Sequence, residues 1–87
     1  MKTLVHNLTG LSRFVFEDTD VITLDDTKTV TPAFIIQDLN SSNSTLYVNV
    51  TPPVDWEGNK YMFDGTTWQI DPEWELRQLN IFKNLQE

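Results

Sequence analysis

The chain has 87 residues, no cysteine, one histidine and a formal net charge of −7. A single domain of this length buries only about 60–65% of the surface that its unfolded chain exposes, so we expect a small core. Without cysteine there is no disulfide and no thiolate metal site, and one histidine does not predict a zinc or haem centre. The six basic residues are scattered along the chain. Nucleic acid and anionic membranes bind clustered lysine and arginine, so neither is an expected partner.

The first third of the chain predicts short strands separated by turns. Alternation of polar and β-branched or aromatic residues predicts the first three strands, over residues 3–8, 12–17 and 21–24. In the second of these, Phe14 and Phe16 lie two residues apart and therefore face the same side.

The next two strands are predicted from a proline and an apolar run. Residues 29–31 predict a short edge strand, because Pro32 ends it and lacks the N–H that a central strand donates. Residues 33–38 are the most continuous apolar run in the chain, so we expect them near the centre of the sheet. Residues 39–44, which are all polar after Leu39, then predict a loop.

A further strand is predicted over residues 45–50, ended by Pro52 and Pro53. Strict alternation predicts that Leu46, Val48 and Val50 point inward while Tyr47 and Asn49 point outward.

A β-hairpin is predicted over residues 60–70. Tyr61 and Phe63 alternate with polar or flexible neighbours, Asp64-Gly65 accepts positive φ, and residues 66–70 resume in β-branched and aromatic residues. An aromatic hairpin with no titratable cluster beside it predicts packing or docking, not a reaction centre. We expect Trp68 in the core, where its replacement by alanine costs about 3–5 kcal/mol.

The chain changes character after residue 70, so we expect a β domain over 1–70 and a C-terminal helix over 71–87. Asp71-Pro72-Glu73 has an N-cap residue, a proline at the first helical position and an acid in the first turn. Glu73 and Arg77 are spaced for an ion pair. An apolar stripe follows, formed by Trp74, Leu79, Ile81, Phe82 and Leu85. The stripe is the candidate partner-binding surface, and the sequence leaves open whether it packs on the chain's own sheet or on a neighbouring chain.

Two ligand-binding interpretations compete with simple structural roles. Acids occur in two predicted turns, at Asp18, Asp20, Asp25 and Asp26, but they lack the glycine-containing twelve-residue loop of a calcium site, so turn chemistry is the preferred reading. Aromatic rings can stack on sugars, and the candidates are Trp56, Tyr61, Trp68 and Trp74, with Trp56 and Tyr61 as the candidate exposed aromatics. No site for a metal, cofactor or catalytic residue is predicted.

Three segments of the chain resemble small virion-associated proteins of marine tailed bacteriophages, cyanophages above all. They are the opening Met1–Val5 followed by an asparagine, the segment Phe34–Asn43, and the run Val50–Trp68 that leads to Asp71-Pro72. The resemblance covers roughly residues 1–74. It implies a structural part of a virion and no reaction. The segment 75–87 departs from the pattern of these proteins, so the resemblance implies no role for it.

The sequence therefore predicts a mainly β protein: a small antiparallel β-sandwich or barrel-like domain with a C-terminal amphipathic helix. The expected function is that of a non-enzymatic structural protein of a bacteriophage particle, either capsid decoration or a tail- or fibre-associated part. Its expected location is the virion, its expected partners are capsid or tail proteins, and many copies, including homo-oligomers, suit a domain with a small core. The alternatives are a tail-fibre assembly chaperone and a glycan-binding appendage module.

Overall fold

The computed structural model describes residues 1–77. Their strands are β1 (Lys2–His6), β2 (Ser12–Phe16), β3 (Thr23–Leu24), β4 (Thr29–Val30), β5 (Ile35–Ile36), β6 (Ser44–Tyr47), β7 (Tyr61–Phe63) and β8 (Trp68–Ile70). A short helix begins at residue 72 and is described through residue 77. The prediction of a mainly β protein with antiparallel sheets is confirmed. In this part of the chain the strands form three small sheets that do not close into a sandwich or barrel.

The central sheet has the strand order β2-β1-β6, and both of its pairings are antiparallel. Three consecutive residues of β1 are buried, namely Thr3, Leu4 and Val5, at 0%, 0% and 3% exposure. Because successive side chains of a strand point to opposite faces, β1 is covered on both faces. The rest of the structure supplies these two covers.

A β-bulge in β2 decides which side chains meet each cover. Leu4 pairs with Phe14 and Val5 pairs with Ser12, so Arg13 is the extra residue of β2 and has no partner in β1. Ser12 therefore points to the same face as Thr3, and their hydroxyl oxygens lie 2.6 Å apart. Beyond the bulge Phe14 and Phe16 share the other face, as predicted, with ring centroids 6.1 Å apart.

One cover is the sheet β3-β4-β5. It encloses the β3–β5 cluster, which we define as the buried side chains of Leu4, Phe16, Ile36 and Leu39, with four half-buried neighbours: Phe14, Ile22, Leu24 and Leu46. Two predictions about this sheet are wrong. Residues 29–30, which were predicted as an edge strand, form its central strand, β4. The apolar run, which was predicted near the centre of the sheet, contributes an edge strand, β5.

The error has a physical origin in Pro32. Thr31 N donates to Phe34 O at 3.0 Å, so Pro32 and Ala33 form the two-residue loop of the β4–β5 hairpin. A proline in the loop loses no ladder hydrogen bond, and it therefore says nothing about whether the preceding strand lies at an edge. The next apolar run splits between the two faces: Ile36 is buried, while Ile35 is 51% exposed.

The other cover is the hairpin β7-β8, which confirms the prediction for residues 60–70. It encloses the hairpin cluster, which we define as Val5, Val50 and Phe63, packed against Tyr47 and Trp68. The hairpin is joined to the start of β2 by backbone bonds, because Phe63 N donates to Gly10 O at 3.0 Å and Asn59 N donates to Ser12 O at 3.0 Å.

The predicted strand over 45–50 ends at Tyr47, and part of its inward pattern is wrong. Val48 is 55% exposed, whereas Tyr47, predicted to face outward, packs on the hairpin cluster. Leu46 and Val50 are correctly predicted to face inward. Asn49 has a φ of 56°, which breaks the extended backbone and the period of two on which the prediction rested.

Candidate functional site

The turn of the β7–β8 hairpin is fixed by Asp64 and Gly65. One carboxylate oxygen of Asp64, Oδ1, accepts hydrogen bonds from Thr66 N at 2.9 Å and Thr67 N at 2.7 Å, and these bonds lower the pKa of Asp64. Gly65 has a φ of 101°. A Cβ at this position would also lie 3.0 Å from Tyr47 Cε1. Both the backbone angle and the close ring therefore require glycine.

Three aromatic rings attach this hairpin to the central sheet. Phe63 and Trp68 stack with centroids 4.3 Å apart and an interplanar angle of 29°. Tyr47 meets Phe63 edge-on at 5.2 Å. Trp68 is half-buried, so it packs on the core as expected but keeps part of its surface in solvent. Its ring is a structural contact and not a free platform.

Trp56 also has a structural role, through a chain of hydrogen bonds into the interior. Its Nε1 donates to Ser12 Oγ at 2.9 Å, and Thr3 Oγ1 donates to Phe14 O at 3.0 Å. The two hydroxyl oxygens are 2.6 Å apart. Because the Thr3 hydroxyl donates its proton to Phe14 O, the Ser12 hydroxyl must donate to Thr3 Oγ1. Each donor in the chain therefore points to the next residue, from Trp56 to Ser12, Thr3 and finally Phe14. Trp56 is half-buried, so it differs from the exposed ring that the sequence predicted.

Tyr61 and Trp74 belong to a mixed surface that we call the aromatic–cationic patch: Asp55, Lys60, Tyr61, Trp74 and Arg77. Lys60 Nζ lies 3.1 Å from Asp55 Oδ2 and 5.8 Å from the centroids of both the Tyr61 and the Trp74 rings. Tyr61 Oη donates to Asp55 Oδ1 at 2.9 Å. Tyr61, like Trp56, was predicted to be exposed and is half-buried. The lysine between the two rings was not predicted.

Three groups of the aromatic–cationic patch, Asp55, Lys60 and Tyr61, shift one another's pKa values. The hydrogen bond from Tyr61, followed by that from Lys60, lowers the pKa of Asp55. Bonding to Asp55 raises the pKa of Lys60 and also the pKa of Tyr61. These three shifts favour an ionised Asp55, a charged Lys60 and a neutral Tyr61 at neutral pH.

The helix start completes this patch and follows the prediction. Asp71 Oδ1 accepts from Glu73 N at 3.1 Å, which is an N-cap contact. The predicted pair of Arg77 with Glu73 is present at 3.8 Å, but Arg77 lies closer to Asp71, at 3.1 Å. Arg77 also donates to Asn59 O at 3.4 Å and lies 5.8 Å from the Trp74 ring. These contacts hold the first helical turn against the turn that precedes β7.

Of the five residues predicted to bind a partner, only Trp74 is described, and it is half-buried. Leu79, Ile81, Phe82 and Leu85 lie outside the described residues. The choice between docking on the chain's own sheet and docking on a neighbour therefore stays a prediction.

The acidic turns at residues 17–28 are built by local hydrogen bonds. Asp25 Oδ1 accepts from Thr27 N at 3.0 Å and Lys28 N at 2.9 Å, which lowers its pKa from 3.8 to about 2. Asp20 Oδ2 accepts from Glu17 N at 3.2 Å. Within residues 1–77 no group of three or more histidine, cysteine or acidic side chains is arranged to hold a metal ion. No helix in the same range is long and apolar enough to cross a membrane.

A second exposed feature lies on the opposite cover, at the β5 edge, which we define as Phe34–Ile36. Phe34 is 47% exposed and Ile35 is 51% exposed, while Ile36 is buried. The Phe34 ring lies 5.9 Å from that of Phe14, so part of it closes the β3–β5 cluster. Sequence analysis missed this surface because a continuous apolar run is the usual pattern of a buried central strand. The proline-containing loop before it indicates a hairpin, but a hairpin does not show which of its strands lies at an edge.

Comparison of the chain with family models, with curated proteins and with solved structures finds no match to any of them.

Proposed function

We propose that this chain is a non-enzymatic structural component of a bacteriophage particle that acts through protein–protein contacts. The phage context comes from the resemblance of three segments within residues 1–74. The proposed mode of action is supported by the large apolar side chains that the described residues expose. The observation that carries the proposal is the ratio of buried to exposed apolar side chains.

The described residues expose more large apolar side chains than they bury. Seven hydrophobic residues are buried, whereas nine large hydrophobic residues are exposed, among them Val54 at 100%, Leu8 at 89% and Val21 at 74%. Single exposed apolar residues are common on soluble proteins. Here they accompany a core divided into two clusters of four and three buried side chains. A domain of this size gains stability when neighbouring subunits cover such side chains.

The open arrangement of the sheets supports the same proposal. The sheets β3-β4-β5 and β7-β8 lie on opposite faces of the central sheet and have two or three residues per strand. Sheets this small leave edges and flanking apolar residues uncovered. In the proposed particle, neighbouring subunits cover these edges and apolar residues.

The two alternatives predict different observations. A tail-fibre assembly chaperone acts during assembly and is absent from finished particles. A glycan-binding module needs an accessible aromatic ring face. Trp56 is bonded to Ser12, Trp68 is stacked on Phe63, and Trp74 contacts Lys60 and Arg77, so the geometry favours protein contact over sugar stacking.

Quantitative mass spectrometry of purified particles tests the proposal. We expect many copies of the chain per particle, measured relative to the major capsid protein, after particles are washed in high salt to remove adsorbed protein. Detection of the chain in the infected-cell lysate provides the expression control. Presence in the lysate with absence from washed particles overturns the proposal and favours the chaperone. Separately, titration with host polysaccharide should leave tryptophan fluorescence unchanged, and a saturable change would favour the glycan-binding module.

A further inference from the structure

The hydrogen-bond alternation of the β4–β5 hairpin shows which backbone groups of β5 face outward. Thr31 N donates to Phe34 O, so residues 31 and 34 form a hydrogen-bonded pair. In antiparallel strands such pairs alternate with non-bonded pairs, which makes Val30–Ile35 non-bonded and Thr29–Ile36 bonded. Ile35 therefore directs its N–H and its C=O away from β4. In residues 1–77 no strand lies beyond β5.

The side chains at this edge are apolar. Phe34 and Ile35 are each about half exposed, at 47% and 51%, and the two loop residues before them, Pro32 and Ala33, are exposed as well. Outward backbone groups next to exposed apolar side chains are the features that accept an added β-strand. A helix or a globular surface would leave the Ile35 N–H and C=O without partners, so the geometry selects an extended segment.

The charged residues around this edge indicate whether that segment is acidic or basic. The turn at 25–28 and the residues after β5 lie at the same end of the sheet, where Ser41 N donates to Asp25 O at 2.8 Å. The two cations at this end are already paired, Lys28 with Asp25 at 3.2 Å and Arg13 with Asp38 at 3.5 Å. Asp26, in the turn between β3 and β4, is exposed, so three acids accompany these two cations, and the chain as a whole has a formal charge of −7. A basic segment therefore meets uncompensated negative charge.

A second copy of this chain fits the edge less well. Each copy has a formal charge of −7, so pairing two β5 edges brings together two acidic surfaces. An extended segment from another protein avoids the repulsion and can continue past the ends of β5.

We propose that the β5 edge binds an extended, basic and apolar segment of another protein by β-strand addition. The backbone of Ile35 supplies the hydrogen bonds, and Phe34 and Ile35 supply the apolar contact. The proposal deepens the proposed function and rests on it, since it names the partner chemistry of a protein-binding structural subunit.

The test uses the full 87-residue chain labelled with ¹⁵N and two capped peptides as probes. One peptide alternates valine and lysine over seven residues, and the other has glutamate in place of lysine. Titration of the valine–lysine peptide should shift the amide resonances of Ile35 and Gln37. The valine–glutamate peptide should bind at least tenfold more weakly.

Two proline variants separate the edge from general surface effects. I35P removes an outward N–H and no internal hydrogen bond, so it should abolish binding while the Tm stays within a few degrees. V54P is the matched control: Trp56 N donates to Pro53 O at 3.0 Å, which places Val54 at the second turn position, where proline is favoured. It should bind like the wild type. If I35P does not fold, I35K keeps the backbone and should weaken binding of the basic peptide through added positive charge.

Three outcomes overturn the proposal: no binding of the valine–lysine peptide, equal binding to I35P, or equal binding of both peptides. A concentration-dependent dimer in sedimentation that I35P abolishes would also overturn it, by assigning the edge to a second copy. Incorporation of I35P into particles separates this proposal from the proposed function. If the copy number of I35P in particles equals that of the wild type, the chain is a structural subunit that does not dock through β5. If the wild-type chain is absent from particles, the proposed function itself is overturned.

Discussion

The two faces of the central sheet are covered by different means. On one face, the sheet β3-β4-β5 has two residues per strand and is held by burial of Leu4, Ile36 and Leu39. On the other, the hairpin β7-β8 is held by a carboxylate-capped turn, stacked rings and backbone bonds to the start of β2. The first cover depends on contacts between residues distant in sequence, and the second begins with residues close in sequence.

This difference shows how a small protein builds a core from few apolar residues. Burial on the β3–β5 side is nearly complete, with Leu4 and Leu39 both at 0% exposure. The hairpin side contains a hydrogen-bonded chain from Trp56 to Phe14 beside its apolar contacts. Buried polar groups are tolerated when each is hydrogen-bonded. The β3–β5 side therefore contributes apolar burial, and the hairpin side contributes hydrogen bonds that fix how the strands are arranged.

The largest expected effect comes from the two neighbouring residues of β1 that face opposite covers. Leu4→Ala should lower the free energy of unfolding by about 3–4 kcal/mol, because it empties space in the β3–β5 cluster. Val5→Ala removes less volume from the hairpin cluster and should cost about 1.5–2.5 kcal/mol. Urea denaturation measures both. Leu8→Ala, at an exposed position, is the control and should stay within about 0.5 kcal/mol of the wild type. Equal losses for the two β1 variants would contradict the difference between the covers.

Trp68→Ala should lower the free energy of unfolding by about 2–3 kcal/mol, since its ring stacks on Phe63 but is only half-buried. This value lies below or at the lower end of the range expected for a core tryptophan. Trp68→Phe keeps an aromatic stack and should lose less than half as much. Thermal melting monitored by circular dichroism provides the comparison, and an unchanged Tm for the alanine variant would show that the hairpin docks without this stack.

Trp56→Phe should cost about 1–2 kcal/mol, because it removes the donor to Ser12 Oγ within a buried hydrogen-bonded chain. Ser12→Ala should cost a similar amount by leaving Thr3 Oγ1 without its donor. The double variant should lose clearly less than the sum of the two single losses, because both remove parts of one chain. Strict additivity in a double-mutant cycle would contradict the shared chain.

The smallest expected effect is a pH dependence on the β3–β5 side. The folded pKa of Asp25 is about 2, below its ordinary value of 3.8. A depressed carboxylate pKa stabilises the fold above the unfolded value, and this stabilisation is lost as the pH falls from 3.8 through 2. Asp25→Asn keeps the oxygen acceptor and removes the titration, so its stability should fall less steeply over this window. Acid unfolding of the two proteins at matched salt measures the difference. Because Asp55 and Asp64 also have lowered pKa values, the stability of both proteins keeps some dependence on pH.

Prediction from the sequence succeeded where neighbours along the chain determine the structure. The Asp64-Gly65 turn, the Phe14–Phe16 face and the Asp71 cap were all read from spacing or turn chemistry, and each is present. The position of β5 was predicted wrongly, since an apolar run gives the same pattern for a central strand and for an edge strand that closes a cluster on one side. The β-bulge at Arg13 and the positive φ of Asn49 were also missed, because both break the period of two that sequence analysis assumes.

The sequence by itself determined that the chain forms short antiparallel strands with an aromatic hairpin and a capped helix start, because turns, caps and alternation are local properties. Only the tertiary structure decided that β1 is covered on both faces, that Trp56 bonds to Ser12 and that Lys60 lies beside two rings. It also decided that Ile35 directs its N–H and C=O away from β4. These features depend on which strands become neighbours, and strand order is set by burial summed over residues far apart in the chain, which no local pattern records.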